Sequence, residues 1–138
     1  MGQPAARSTP ALLRPRRRDD LGSDGADWLD GGSGDDTIYR GYGDDTLYGQ
    51  DGADTLLGDD GSDTIYGDFE NDPVNGGSDT IIAGLGSDTV HGGGGNDQIY
   101  AGVSGAGSED NVINTIYGDA GDDVIVGDLG NDIIDGGS

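Results

Sequence analysis

The chain has 138 residues, with 28 Asp and Glu against six Arg and no Lys, for a formal charge of −22. So acidic a chain repels phosphate backbones and anionic membrane surfaces, which excludes nucleic acid as a partner and points to cations. With no cysteine and one histidine, His91, disulfides, thiolate or multi-histidine metal sites and Cys–His catalysis are excluded too.

Residues 1–21 stand apart in composition. They hold five of the six arginines (Arg7, Arg14, Arg16, Arg17, Arg18) and three of the four prolines (Pro4, Pro10, Pro15). A disordered basic N-terminal tail is expected there, with a targeting or docking arm as the alternative. Ala11, Leu12 and Leu13 fall short of the ~7–15-residue apolar stretch of a secretory signal. No apolar run approaches the ~18 residues of a membrane helix, so membrane insertion is not expected of this segment.

From Gly22 the sequence repeats every nine residues. The first five units are GSDGADWLD (22–30), GGSGDDTIY (31–39), RGYGDDTLY (40–48), GQDGADTLL (49–57) and GDDGSDTIY (58–66). AGLGSDTVH (83–91), GGGGNDQIY (92–100), GDAGDDVIV (118–126) and GDLGNDIID (127–135) follow later. Between them lie two longer units, 67–82 and 101–117, with insertions expected at about 70–76 and 104–111. The repeat region is therefore 22–138. It stops three residues into a twelfth unit, as expected of a fragment of a larger protein.

Position eight is aliphatic in all eleven units: Leu29, Ile38, Leu47, Leu56, Ile65, Ile81, Val90, Ile99, Ile116, Ile125 and Ile134. Thr and Tyr commonly flank it. One apolar residue between β-branched and aromatic neighbours makes a three-residue strand whose centre faces inward. The Gly- and Asp-rich remainder of each unit is turn. Two units then close one 18-residue rung, with a strand on each of two parallel sheets. The expected fold is all-β: a parallel β-roll, or β-helix solenoid, with rungs ~4.8 Å apart. The two insertions are expected to bulge from opposite edges.

Position six carries the chemistry. It is Asp27, Asp36, Asp45, Asp54, Asp63, Asp79, Asp88, Asp97, Asp123 and Asp132, with Asn114 aligned there in unit 101–117 and Asp110 upstream as the alternative. Position four is Gly in the same ten units: Gly25, Gly34, Gly43, Gly52, Gly61, Gly77, Gly86, Gly95, Gly121 and Gly130. These residues match the G-G-x-G-x-D-x-U-x nonapeptide, and residues 22–135 resemble the RTX, or haemolysin-type calcium-binding, repeats. The resemblance implies Ca²⁺ as ligand, with the position-six carboxylates joined by carbonyls of positions two and four. Residues 18 apart stack, so two columns follow: Asp27–Asp45–Asp63–Asp88–Asn114–Asp132 and Asp36–Asp54–Asp79–Asp97–Asp123. About seven to nine ions are expected, two of the pairs being compromised by Asn114. Carboxylates ~5 Å apart repel by about 3 kcal/mol at an effective dielectric of 20, so folding is expected to depend on the ion.

The resemblance further implies a secreted, extracellular module leaving a Gram-negative bacterium through a type I channel. A catalytic or toxin domain is expected elsewhere in the parent toxin, enzyme or adhesin. This chain is not expected to be an enzyme: it has no H-E-x-x-H, no G-x-S-x-G and no phosphate loop. The alternative reading is ice binding or surface adhesion through threonine ladders, Thr37–Thr55–Thr80 and Thr46–Thr64–Thr89–Thr115. Tyr at position nine interrupts the small-residue lattice such a face needs. His91 is read as an exposed strand residue and Trp28 as a cap on the open end of the rod.

Overall fold

The computed structural model describes residues 11–12, 19–21, 24–69, 76–102 and 112–138. Among the described residues every element is a strand. In chain order they are β1 (Ala11–Leu12), β2 (Asp19–Leu21), β3 (Trp28–Ser33), β4 (Thr37–Tyr39), β5 (Thr46–Asp51), β6 (Thr55–Asp60) and β7 (Thr64–Tyr66). The series continues with β8 (Thr80–Leu85), β9 (Thr89–Gly94), β10 (Gln98–Tyr100), β11 (Thr115–Ala120), β12 (Val124–Val126) and β13 (Ile133–Asp135).

Strands alternate between two sheets. Odd-numbered strands form one in the order β1-β3-β5-β7-β9-β11-β13, and even-numbered strands the other, from β2 to β12 in the same sense. All pairings are parallel, and position eight meets position eight throughout, as Leu47 meets Ile65 and Leu56 meets Ile81. The molecule is the expected β-roll.

The core is the position-eight column. Ile38, Leu47, Leu56, Ile65, Ile81, Val90, Ile99 and Ile116 are wholly buried, each contributing about 1.5–3 kcal/mol of apolar burial. Ala83 and Ala101 fill the gaps beside them. Ile134, in the last strand, is about half exposed because only one neighbouring rung covers it.

The register absorbs both insertions without a slip. Thr55 pairs with Thr80 and Thr89 with Thr115, so the extra residues leave the ladder intact. Residues 70–75 and 103–111, and with them the expected placement of the bulges, lie outside the described residues.

β1 pairs with β3 and β2 with β4, so residues 11–12 and 19–21 continue the parallel ladder below Gly22. The pairing follows from the same 18-residue offset, which sets Ala11 beside Leu29 and Asp20 beside Ile38. Residues 1–10 and 13–18 lie outside the described residues.

The outer face of the odd-numbered sheet carries an aromatic column. Tyr48 stacks on Tyr66, Tyr66 on His91 and His91 on Tyr117, with ring centroids 4.9, 5.0 and 4.6 Å apart. His91 is thus half-buried between two tyrosines, with Nδ1 3.3 Å from Asp119 Oδ2, rather than simply exposed. Trp28 meets Tyr48 edge-on at 5.5 Å and continues the column. The threonine ladders exist in the expected register, and this aromatic column runs beside one of them.

Candidate metal sites

Position six stacks in the two expected columns, one along each edge of the roll. Each carboxylate reaches back to the rung before it. Asp45 Oδ1 accepts from the Asp27 amide at 2.7 Å and Asp63 Oδ1 from the Asp45 amide at 2.8 Å. Asp88 Oδ1 takes the Asp63 amide at 2.8 Å. In the other column Asp54, Asp79, Asp97 and Asp123 do the same for Asp36, Asp54, Asp79 and Asp97, at 2.7–2.9 Å. The bonds have the same length across the insertions as elsewhere.

The second oxygen is different. Oδ2 of Asp36, Asp54, Asp63, Asp79, Asp88, Asp97 and Asp123 is buried without a hydrogen-bond partner, while that of Asp45 has Arg40 Nε beside it at 3.4 Å. In most of these turns Oδ2 lies against position one of its own unit. A methyl group placed on Gly49 would run into Asp54 Oδ2 and the Gly67 carbonyl oxygen; one on Gly67 would meet Asp79 Oδ2 and the Gly92 carbonyl. Gly31, Gly58, Gly92 and Gly118 show the same cradle. A carboxylate oxygen and a carbonyl oxygen from the next rung therefore converge on one small space, the donor set a hard cation takes.

Electrostatics mark the same atoms. Burial, opposed by the backbone hydrogen bond and aided by neighbouring aspartates, pushes Asp54, Asp63 and Asp88 up to about 7. It pushes Asp79 to about 8 and Asp97 to about 6. The ion-free fold thus opposes ionisation of these groups, a penalty that a divalent cation reverses. Among the described residues no three Asp, Glu, His or Cys side chains converge as a metal cluster.

A model of the RTX calcium-binding nonapeptide repeat matches in four copies, at residues 21–41, 39–72, 74–103 and 106–138. The chain belongs to this calcium-binding repeat family. No curated protein and no solved structure gives a match.

Position four of the RTX unit has a packing reason of its own. Gly61 sits at φ +146°, and a Cβ there would collide with the Gly43 carbonyl of the rung before. Gly52, Gly86, Gly95 and Gly121 meet the preceding rung in the same way. Position two is also left-handed in several units, and in three of them it carries a side chain: Gln50, Asp59 and Asp119 have φ of 77°, 68° and 69°. Asp and short amides accept that conformation better than most residues.

Three position-six residues depart from the pattern. Asn114, wholly buried, holds the Asp88 amide with Oδ1 at 2.9 Å but leaves Nδ2, a donor, unpartnered where its neighbours place an oxygen. Asp132 accepts the Asn114 amide with Oδ1 and the Asp128 amide of its own turn with Oδ2. Asp27 Oδ2 faces the guanidinium of Arg40. The role of Arg40 escaped the sequence reading, although its place at position one, where most units have Gly, was the available signal.

Proposed function

We propose that the chain folds around calcium, holding Ca²⁺ between successive rungs along both edges of the roll. The position-six aspartates supply carboxylates, and carbonyls of the facing turns complete the ~6–8 oxygens the ion takes. The position-four glycines let those turns approach closely enough to do so. The observation that carries this reading is the row of buried Oδ2 oxygens with no hydrogen-bond partner. An anionic oxygen withdrawn from water costs several kcal/mol unless it is paired or on a metal. Here that cost recurs at one position of the repeat in both columns.

Nine amide–side-chain bonds link adjacent position-six residues, and two of them involve Asn114. Seven to nine ions are therefore expected. Because each aspartate faces two neighbours, one bound ion orders half of the next site, and folding spreads along the rod. Calcium is then structural and the module is not an enzyme. Its family membership supports an extracellular setting, where millimolar calcium fills sites of ~10⁻⁴–10⁻³ M affinity, and a role as a secreted segment of a larger toxin, enzyme or adhesin. Far-UV circular dichroism tests the coupling. Coil is expected in EGTA and β-structure in millimolar Ca²⁺, along a sigmoidal titration, with magnesium a poor substitute. Full β-signal in EGTA refutes it.

A further inference from the structure

Arg40 is the odd residue at position one. Of the eleven units, eight begin with Gly, two with Ala (Ala83 and Ala101) and one with Arg. Its side chain is withdrawn from solvent, at 2% exposure, although arginine is almost never fully buried unless it is paired. The fold buries it in one place: Nη2 contacts Asp27 Oδ2 and Nε lies 3.4 Å from Asp45 Oδ2. Asp27 and Asp45 are stacked neighbours in one position-six column, joined by the amide-to-Oδ1 bond described above. The guanidinium therefore spans two carboxylates of successive rungs, where other pairs present oxygens to a common space.

We propose that the Arg40 guanidinium is a resident cation that takes the place of the calcium ion between Asp27 and Asp45. This rests on the calcium reading of the columns. Two things follow. The pair Asp27–Asp45 binds no calcium, which lowers the expected number of ions by one. And the rungs carrying β3 and β5 have their charge compensated from within the chain, so they need less calcium to form than the rest of the rod. A guanidinium supplies one charge rather than two, but it is covalently present and cannot dissociate.

Replacing Arg40 by the repeat's own residue, Arg40→Gly, tests this, and Trp28 reports on it locally. Trp28 is the chain's sole tryptophan; it follows Asp27 directly and packs on Tyr48. Bound calcium is counted by equilibrium dialysis, and Trp28 emission is followed through a calcium titration. R40G is expected to bind one more ion per chain than the wild type. The calcium concentration at which Trp28 emission moves to the blue is expected to rise at least tenfold. Arg40→Lys, which keeps a cation in place, is expected to keep the wild-type count. An R40G count no higher than wild type overturns the proposal. So does a Trp28 midpoint that moves less than twofold, an R40G chain that stays unfolded in saturating calcium, or an R40K chain that gains an ion. A wild-type chain that binds no calcium at any concentration is a different result, and refutes the metal reading itself.

Discussion

Asp63 separates the hydrogen-bonding role of position six from its role toward the ion. It is 1% exposed, accepts the Asp45 amide through Oδ1 and donates its own amide to Asp88 Oδ1, both at 2.8 Å. Asp63→Ala leaves the buried Asp45 amide without an acceptor, at a cost of about 1–3 kcal/mol. Asp63→Asn retains that acceptor, as Asn114 does for Asp88, and exchanges only Oδ2 for a donor. In EGTA with a stabilising osmolyte, D63N is therefore expected to hold at least as much β-structure as the wild type at pH 8, and D63A less. In calcium both lose a ligand from two pairs, Asp45–Asp63 and Asp63–Asp88. At a hundredfold excess over Kd each site contributes about 2.7 kcal/mol, so roughly 5 kcal/mol disappears. At about 4 °C per kcal/mol that is ~20 °C in Tm, with D63A lower again by its lost hydrogen bond. Melting followed by circular dichroism and ion counting by dialysis measure both effects, with two ions fewer expected. If D63N weakened the calcium-free fold as much as D63A, or left the ion count unchanged, the division of labour between Oδ1 and Oδ2 would be wrong.

Asn114→Asp is expected to add at most one ion, weakly held, because position four of that unit is Val112 rather than Gly; a gain of two or more by dialysis refutes this. The raised carboxylates set the pH response. Because burial lifts their folded values to about 6–8 from 3.8, the stability of the calcium-free fold is fully present below about 3.8 and lost as pH rises through 6–8. The β-signal in EGTA should therefore grow on acidification from pH 8 to 4, while calcium affinity falls; a maximum at pH 8 contradicts it. Gly61→Ala is expected to cost at least 1–3 kcal/mol in calcium, because Cβ meets the Gly43 carbonyl at a left-handed φ. Gly41→Ala, in open space, should stay within about 0.5 kcal/mol by the same denaturation assay.

The period of nine carried most of the fold. A strand of three and a turn of six leave one way to bury a single aliphatic per unit, so the two sheets, their register and both columns were legible, Asn114 included. The insertions did not obscure this because the strands on either side of them keep the ladder's register. What the period hides is where individual side chains go. Position one reads as turn glycine, and only the structure shows Asp Oδ2 resting on it. Arg40 looks like one stray charge in a degenerate repeat until its guanidinium is found between two aspartates. The pairing of residues 11–12 and 19–21 lies outside what the period of nine can show, because backbone pairing continues where the repeat's residues do not. Left-handed Gln50, Asp59 and Asp119 were missed because position two varies, and its conformation is imposed by neighbouring rungs.

The position-six amide-to-side-chain bonds along both edges run one way, each amide being taken by the rung that follows, whereas at position five the amides of Ala53 and Ser62 go the other way, to Asp35 and Asp44 of the rung before. The rod is therefore polar in the chemical sense. At position six, a cut face looking toward the C-terminus presents amides waiting for an acceptor, and one looking toward the N-terminus presents carboxylate oxygens waiting for a donor. Shortening the array from one side or the other is not equivalent, even when the same number of units is removed. The position-six amide of a rung is satisfied only when its successor is in place, while its position-five amide looks to its predecessor, so the two kinds of cut leave different groups unpaired.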